Sequence, residues 1–218
     1  MSIEFRPKLL NTLIQEALYY PKVTNIPEGR DTGVGFGMAL FGLVIALKAK
    51  NVVELGVRGG GTAYPLLLGT YLTGGTLTSV DIEECDVSWA DKIDAPGITD
   101  NWNVVKQDAI KFLEEYDKEI DLIFIDDWHE CSHVMKELEL VKDKISPSGL
   151  ITMHDAMYQN WEPKYHENMS PICPRFGEEF GNGGVYRALK DFTAKYPNEW
   201  EFCTIPVDHG FTILRKLS

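Results

Sequence analysis

The sequence predicts an α/β protein built on a doubly wound, seven-stranded sheet, mostly parallel and closed by an antiparallel C-terminal hairpin strand. Three observations lead there. Short apolar runs alternate with segments of helical periodicity from residue 38 onward, which is the pattern of repeated β-α-β units. The first of these runs ends in a glycine-rich turn, Gly56-Val57-Arg58-Gly59-Gly60-Gly61, directly before a helical stretch. The last two runs are separated by little more than Asp208-His209-Gly210, a linker suited to a hairpin.

Taken in order, residues 6–20 place Leu9, Leu10, Leu13, Ile14, Ala17 and Leu18 at helical spacing, and Pro21 follows where the helix should end. With the polar, glycine-rich stretch 27–37 they are expected to form an N-terminal helix-and-loop cap over residues 1–37. A second helix, 38–48, leads into strand 51–55, whose paired valines suit a strand buried on both faces. Residues 62–68 read as helix. Further strands are expected at 76–82, 103–107, 121–125 and 149–153, with helices at 83–93, 109–116 and 133–145 between them. Periodicity is lost across 157–184, a stretch too rich in aromatics for simple disorder, so it is expected to be a lid or substrate-specificity insertion. A last helix, 185–196, precedes strands 201–207 and 211–216. The expectation is one domain over residues 1–218.

Composition narrows the ligand class. Thirty-three acidic residues against 21 lysines and arginines give a net charge of −12, which disfavours nucleic acid and anionic membranes and favours a small-molecule partner. The longest apolar run, 38–47, is far too short to span a bilayer, and no leader is expected at the N-terminus. Cys85, Cys131, Cys173 and Cys203 are widely spaced and show neither zinc nor disulfide patterning, so they read as reduced thiols of a cytoplasmic protein. Whether the chain forms a homo-oligomer stays open.

In a doubly wound sheet the ligand lies at the carboxyl ends of the strands. Those ends carry Glu54 and Gly56, Asp81, Asp108, Asp126-Asp127-Trp128-His129, and His154-Asp155. Charge at five strand ends is costly in a core and natural in a polar cleft. Asp81 closes the second strand 25 residues beyond Gly56, where a carboxylate can accept from both hydroxyls of a ribose, which points to an adenosine-containing cofactor. A dinucleotide fits less well, because the G-x-G-x-x-G spacing would need glycine at Arg58 in one register and at Tyr64 in the other.

This combination resembles the class I S-adenosylmethionine-dependent methyltransferases, whose fold is Rossmann-like, over roughly residues 38–216. Glu54-Leu55-Gly56-x-x-Gly59-Gly60-Gly61 is similar to their first motif, Asp81 to their ribose-binding acid, and Asp108-Ala109 to the residues beside the adenine. Ile125-Asp126-Asp127-Trp128-His129 is similar to the fourth-strand signature of small-molecule O-methyltransferases of the catechol O-methyltransferase and I-D-x-x-H type. The resemblance implies S-adenosylmethionine as cofactor, bound by Glu54, Gly56, Gly59, Gly61, Thr62, Asp81, Ile82, Asp108, Ala109, Asp126 and Trp128. Trp128 either flanks the adenine or covers the sheet edge. Transfer to a hydroxyl needs a base, for which His129 stands ready, with Asp126 as its catalytic companion. Mg²⁺ or another divalent cation would sit on Asp126, His154 and Asp155, although His154 and Ala156 depart from the metal-dependent pattern and His154 suits a softer ion.

His129-Glu130-Cys131-Ser132-His133 also spells H-E-x-x-H, but a zinc-peptidase pair must share one continuous helix, and this stretch begins directly after a strand. His166 and His209 read as a loop and a hairpin-turn residue. The expected function is methyl transfer from S-adenosylmethionine to a hydroxyl of a small molecule. Two alternatives stay open, a non-catalytic binding protein on the same fold and an oxidoreductase using a nicotinamide or flavin nucleotide.

Overall fold

A computed structural model describes residues 36–93, 95–157, 184–206 and 209–217. Helix α1 (Gly37–Leu47) leads into strand β1 (Asn51–Leu55), then α2 (Ala63–Thr73), β2 (Thr76–Asp81), a 3₁₀ turn (Ser88–Lys92) and β3 (Trp102–Lys106). After these come α3 (Ala109–Glu115), β4 (Ile120–Ile125), α4 (Cys131–Val141), β5 (Ile145–Met153), α5 (Gly184–Lys195), β6 (Trp200–Ile205) and β7 (Phe211–Lys216). The expected helix at 6–20, the loop 27–35 and residues 158–183 of the expected insertion lie outside the described residues.

The strands form one seven-stranded sheet in the order β3-β2-β1-β4-β5-β7-β6. Pairings from β3 through β5 are parallel, and β7 runs antiparallel to both β5 and β6, as the two C-terminal runs predict. Strand order reverses between β1 and β4, and that switch places the crevice above Leu55 and Ile125, which are register partners.

Alternation along the central strands sorts the core into two layers. Val53 and Leu55 of β1 and Ile123 and Ile125 of β4 pack with Leu113, Leu138 and Leu189 from α3, α4 and α5. Val52, Leu122 and Phe124 face the other way, onto Leu40, Val44, Leu66 and Leu67 of α1 and α2. Strands covered on both faces can be almost wholly apolar, and Ile120 to Ile125 is interrupted only by Asp121.

Two expectations are corrected. No α-helix occupies 83–93. Asp81 Oδ1 accepts from the Glu83 N–H at 2.9 Å and Asp86 Oδ1 accepts from the Ser88 N–H at 3.0 Å and its hydroxyl at 2.6 Å. Such local side-chain bonds compete with the helical ladder, leaving only the 3₁₀ turn. The helix expected at 133–145 starts earlier and stops at Val141, because Ile145 already pairs with Ile120 as the first residue of a longer β5. Ser146 to Gly149 then bulge out before pairing resumes at Leu150.

Candidate active site

Beyond β1 the backbone turns through Gly56, whose φ of +87° is a conformation that side chains rarely adopt. A Cβ there would stand 2.3 Å from the Asp126 carbonyl oxygen, so only glycine allows this turn to lie against the end of β4. Gly60, at φ +82°, is equally constrained, since a Cβ would meet the Trp89 ring at 2.6 Å. Trp89 in turn packs on Trp102 at 5.5 Å and edge-on to Tyr64 at 6.1 Å. The loop is therefore roofed by an indole from the 3₁₀ turn, a neighbour that no spacing in the sequence announces.

Two carboxylates fix this loop from below. Asp81 Oδ2 accepts from the N–H groups of Val57 and Arg58, both at 2.9 Å. Burial works against charge on Asp81, but these bonds and the one from Glu83 outweigh it, holding the acid below its ordinary value. Of its roughly four acceptor sites, both on Oδ2 and one on Oδ1 are taken by backbone N–H groups, and the Cys85 thiol lies beside the last, so at most one, on Oδ1, is left for a ligand. Glu54 is fully buried. Its oxygens accept from the Thr62 and Ser79 hydroxyls, each at 2.6 Å, and the Trp102 indole N–H donates to Ser79 at 3.0 Å. Burial pushes the Glu54 pKa up to about 7 against these bonds. Glu54 and Thr62 thus shape the loop from behind, with their side-chain groups already engaged with each other.

At the ends of β4 and β5 the chain gathers carboxylates and imidazoles. His129 Nε2 lies 3.1 Å from Asp126 Oδ1 and 3.2 Å from Asp155 Oδ2. His154 Nδ1 lies 3.3 Å from Asp126 Oδ1 and 3.4 Å from Asp155 Oδ1. Burial disfavours charge on Asp126, but His129 and His154 more than compensate and lower its pKa; at Asp155 burial prevails and the pKa is raised. Asp155 also has a left-handed backbone, φ +59°. His209 adds a third imidazole, its Nδ1 3.7 Å from Asp155 Oδ1. The antiparallel register that sets Met153 opposite Thr212 brings this hairpin residue alongside, and the Met157 N–H donates to the His209 carbonyl at 2.8 Å.

The donor set suits a divalent cation. Asp126, His129 and Asp155, and separately His154, Asp155 and His209, each present ligand atoms within 4.8 Å of one another. Asp155 Oδ1 is buried and accepts no hydrogen bond, although the His154 and His209 ring nitrogens approach it at 3.4 and 3.7 Å, an arrangement that a cation between them satisfies. Mixed nitrogen and oxygen ligands favour an ion softer than Mg²⁺.

The remaining candidates are more dispersed. Asp108 caps α3 by accepting from the Lys111 N–H at 2.9 Å and stays exposed at the end of β3, with Ala109 buried behind it. Ile82 is 68% exposed beside Asp81. Gly59, Gly61 and Trp128 are half-buried. The H-E-x-x-H pair is split by the helix boundary: Glu130 is the N-cap of α4, accepting from the N–H groups of Ser132 and His133 at 3.2 Å, so His129 lies before the helix and His133 within it. His133 approaches Asp127 at 3.3 Å and Glu137 at 3.6 Å instead, and although burial opposes its charge, these carboxylates push its pKa up to about 10.

Comparison with known proteins agrees with this geometry. Residues 53–156 match a family model described as a methyltransferase domain. A methyltransferase of Podospora anserina, PaMTH1, solved bound to SAH, superposes with a TM-score of 0.61 at 17% identity over 98% of this chain and 89% of its own. An O-methyltransferase of Bacillus cereus in complex with SAH gives 0.59 at 20% identity, covering 99% and 93%. The O-methyltransferase TomG of Streptomyces achromogenes, in complex with SAM, gives 0.60 at 16% identity, covering 99% and 92%. No curated relative matches the sequence.

Proposed function

We propose, from the match of residues 53–156 to a methyltransferase domain and from the sheet order, that the protein transfers the methyl group of S-adenosylmethionine to a hydroxyl of a small molecule. The observation that carries this is a single meeting point: the loop of Gly56 abuts the Asp126 backbone, so the glycine turn and a carboxylate–imidazole cluster share one crevice. Asp81 Oδ1 supplies the acceptor for one ribose hydroxyl, and the exposed Ile82 offers apolar area to the base next to it. Gly59 and Gly61 let the backbone approach the amino-acid part, while Asp108-Ala109 and Trp128 border the adenine.

S-adenosylmethionine brings an electrophilic methyl on a cationic sulfur. For in-line transfer the protein must hold the acceptor oxygen behind that carbon and remove its proton. His129 takes the proton, and Asp126 and Asp155, at 3.1 and 3.2 Å, stand where they balance the charge the ring acquires. A divalent cation on His154, Asp155 and His209, which leaves His129 to act as base, would polarise the acceptor oxygen. The free Cys85, Cys131 and Cys203 support a reducing, cytoplasmic setting.

Isothermal titration should find S-adenosylmethionine binding in the micromolar range, weakened at least tenfold by Asp81→Asn. Mass spectrometry of hydroxylated small molecules incubated with the protein should then detect a gain of one methyl, sensitive to chelator. Absence of cofactor binding at high micromolar concentration would refute the proposal.

A further inference from the structure

A second cluster is left unused by this chemistry. Asp127 leaves the end of β4, and His133 and Glu137 are spaced i, i+4 on one face of α4. His133 Nε2 is 3.3 Å from Asp127 Oδ2 and 3.6 Å from Glu137 Oε1. Glu137 is 0% exposed, yet neither of its carboxylate oxygens has a hydrogen-bond partner, and Asp127 Oδ1 is likewise buried without one. A carboxylate brought out of water in this way needs a counter-charge. Without one, Glu137 keeps its proton, because burial and the neighbouring Asp127 raise its pKa well above the ordinary value; a bound cation is what would hold it ionised.

The separations also match a metal centre. Donors about 2.0–2.1 Å from a tetrahedral ion stand about 3.4 Å from one another. The three side chains here present ligand atoms all within 4.8 Å, with the two His133 separations close to that ideal. One nitrogen and two carboxylates form a ligand set for zinc and similar ions more than for Mg²⁺. We propose that Asp127, His133 and Glu137 bind one zinc-class divalent cation that ties α4 to the end of β4. Because Asp127 directly follows Asp126, this tie also holds the backbone from which Asp126 enters the crevice. None of the three residues belongs to the cluster around Asp155, so the inference does not depend on methyl transfer.

The test uses the full chain, stripped with chelator and titrated with Zn²⁺ in an Asp155→Asn background that disables the other cluster. One equivalent of zinc should remain bound and should raise the melting temperature. Glu137→Gln and His133→Gln, checked for folding by circular dichroism, should each weaken that binding at least 100-fold. Anomalous diffraction at the zinc edge from crystals of the unsubstituted protein should give a peak about 2.0–2.3 Å from the three ligand atoms. The proposal is overturned if that peak is missing, if Asp155→Asn alone abolishes zinc uptake, or if both glutamine variants bind zinc as before.

Discussion

Replacing Glu54 by glutamine takes an ionisable group out of the middle of the sheet while nearly preserving its shape, and it should change how stability responds to pH. Glu54 is fully buried, and burial pushes its pKa from an ordinary 4.5 to about 7 in the folded protein. The folded state thus holds this proton more tightly than the unfolded chain. Its contribution is full below pH 4.5, falls as the pH rises, and is gone above about 7. At about 1.4 kcal/mol for each tenfold change in proton affinity, that displacement amounts to roughly 3 kcal/mol. Urea unfolding of both proteins from pH 4.5 to 8 isolates the residue, because every other titrating group is common to the pair. The stability of the unsubstituted protein relative to Glu54→Gln should fall by roughly 3 kcal/mol across that range. A difference that stays constant with pH would show that Glu54 titrates alike in the folded and unfolded chains and that the Thr62 and Ser79 hydroxyls fully offset its burial.

Gly60→Ala should destabilise the fold by about 1–3 kcal/mol and weaken cofactor binding, since the new methyl meets Trp89 at 2.6 Å from a left-handed backbone. Thermal melts and cofactor titration check this, and an alanine variant as stable as the parent would refute the roofed loop. His129→Gln should lower kcat about 10²–10⁴-fold while leaving the cofactor Kd within about twofold, the signature of a lost proton acceptor. Turnover that survives the change, measured by methylated product, would move the base elsewhere.

Much of this molecule was legible along the chain. Apolar runs of strand length, the glycine turn after the first and the short polar linker before the last are local signals. They predicted seven strands, their mostly parallel order and the antiparallel hairpin. Strand-end position alone also selected Asp126, His129, His154 and Asp155, which the structure brings within about hydrogen-bond reach of one another. The helix expected at 83–93 failed for a local reason, the competition of Asp81 and Asp86 for backbone N–H groups, which periodicity does not register. Other features only the tertiary structure decided. Trp89 over Gly60, Glu54 turned back onto Thr62 and Ser79, His209 beside Asp155, and Glu137 buried opposite Asp127 all depend on distances between separate elements. Spacing along a strand or helix determines which face a side chain takes, because the backbone repeat is fixed. What that side chain meets is set by sheet order, register and the layer packed above, where residues far apart in sequence come together.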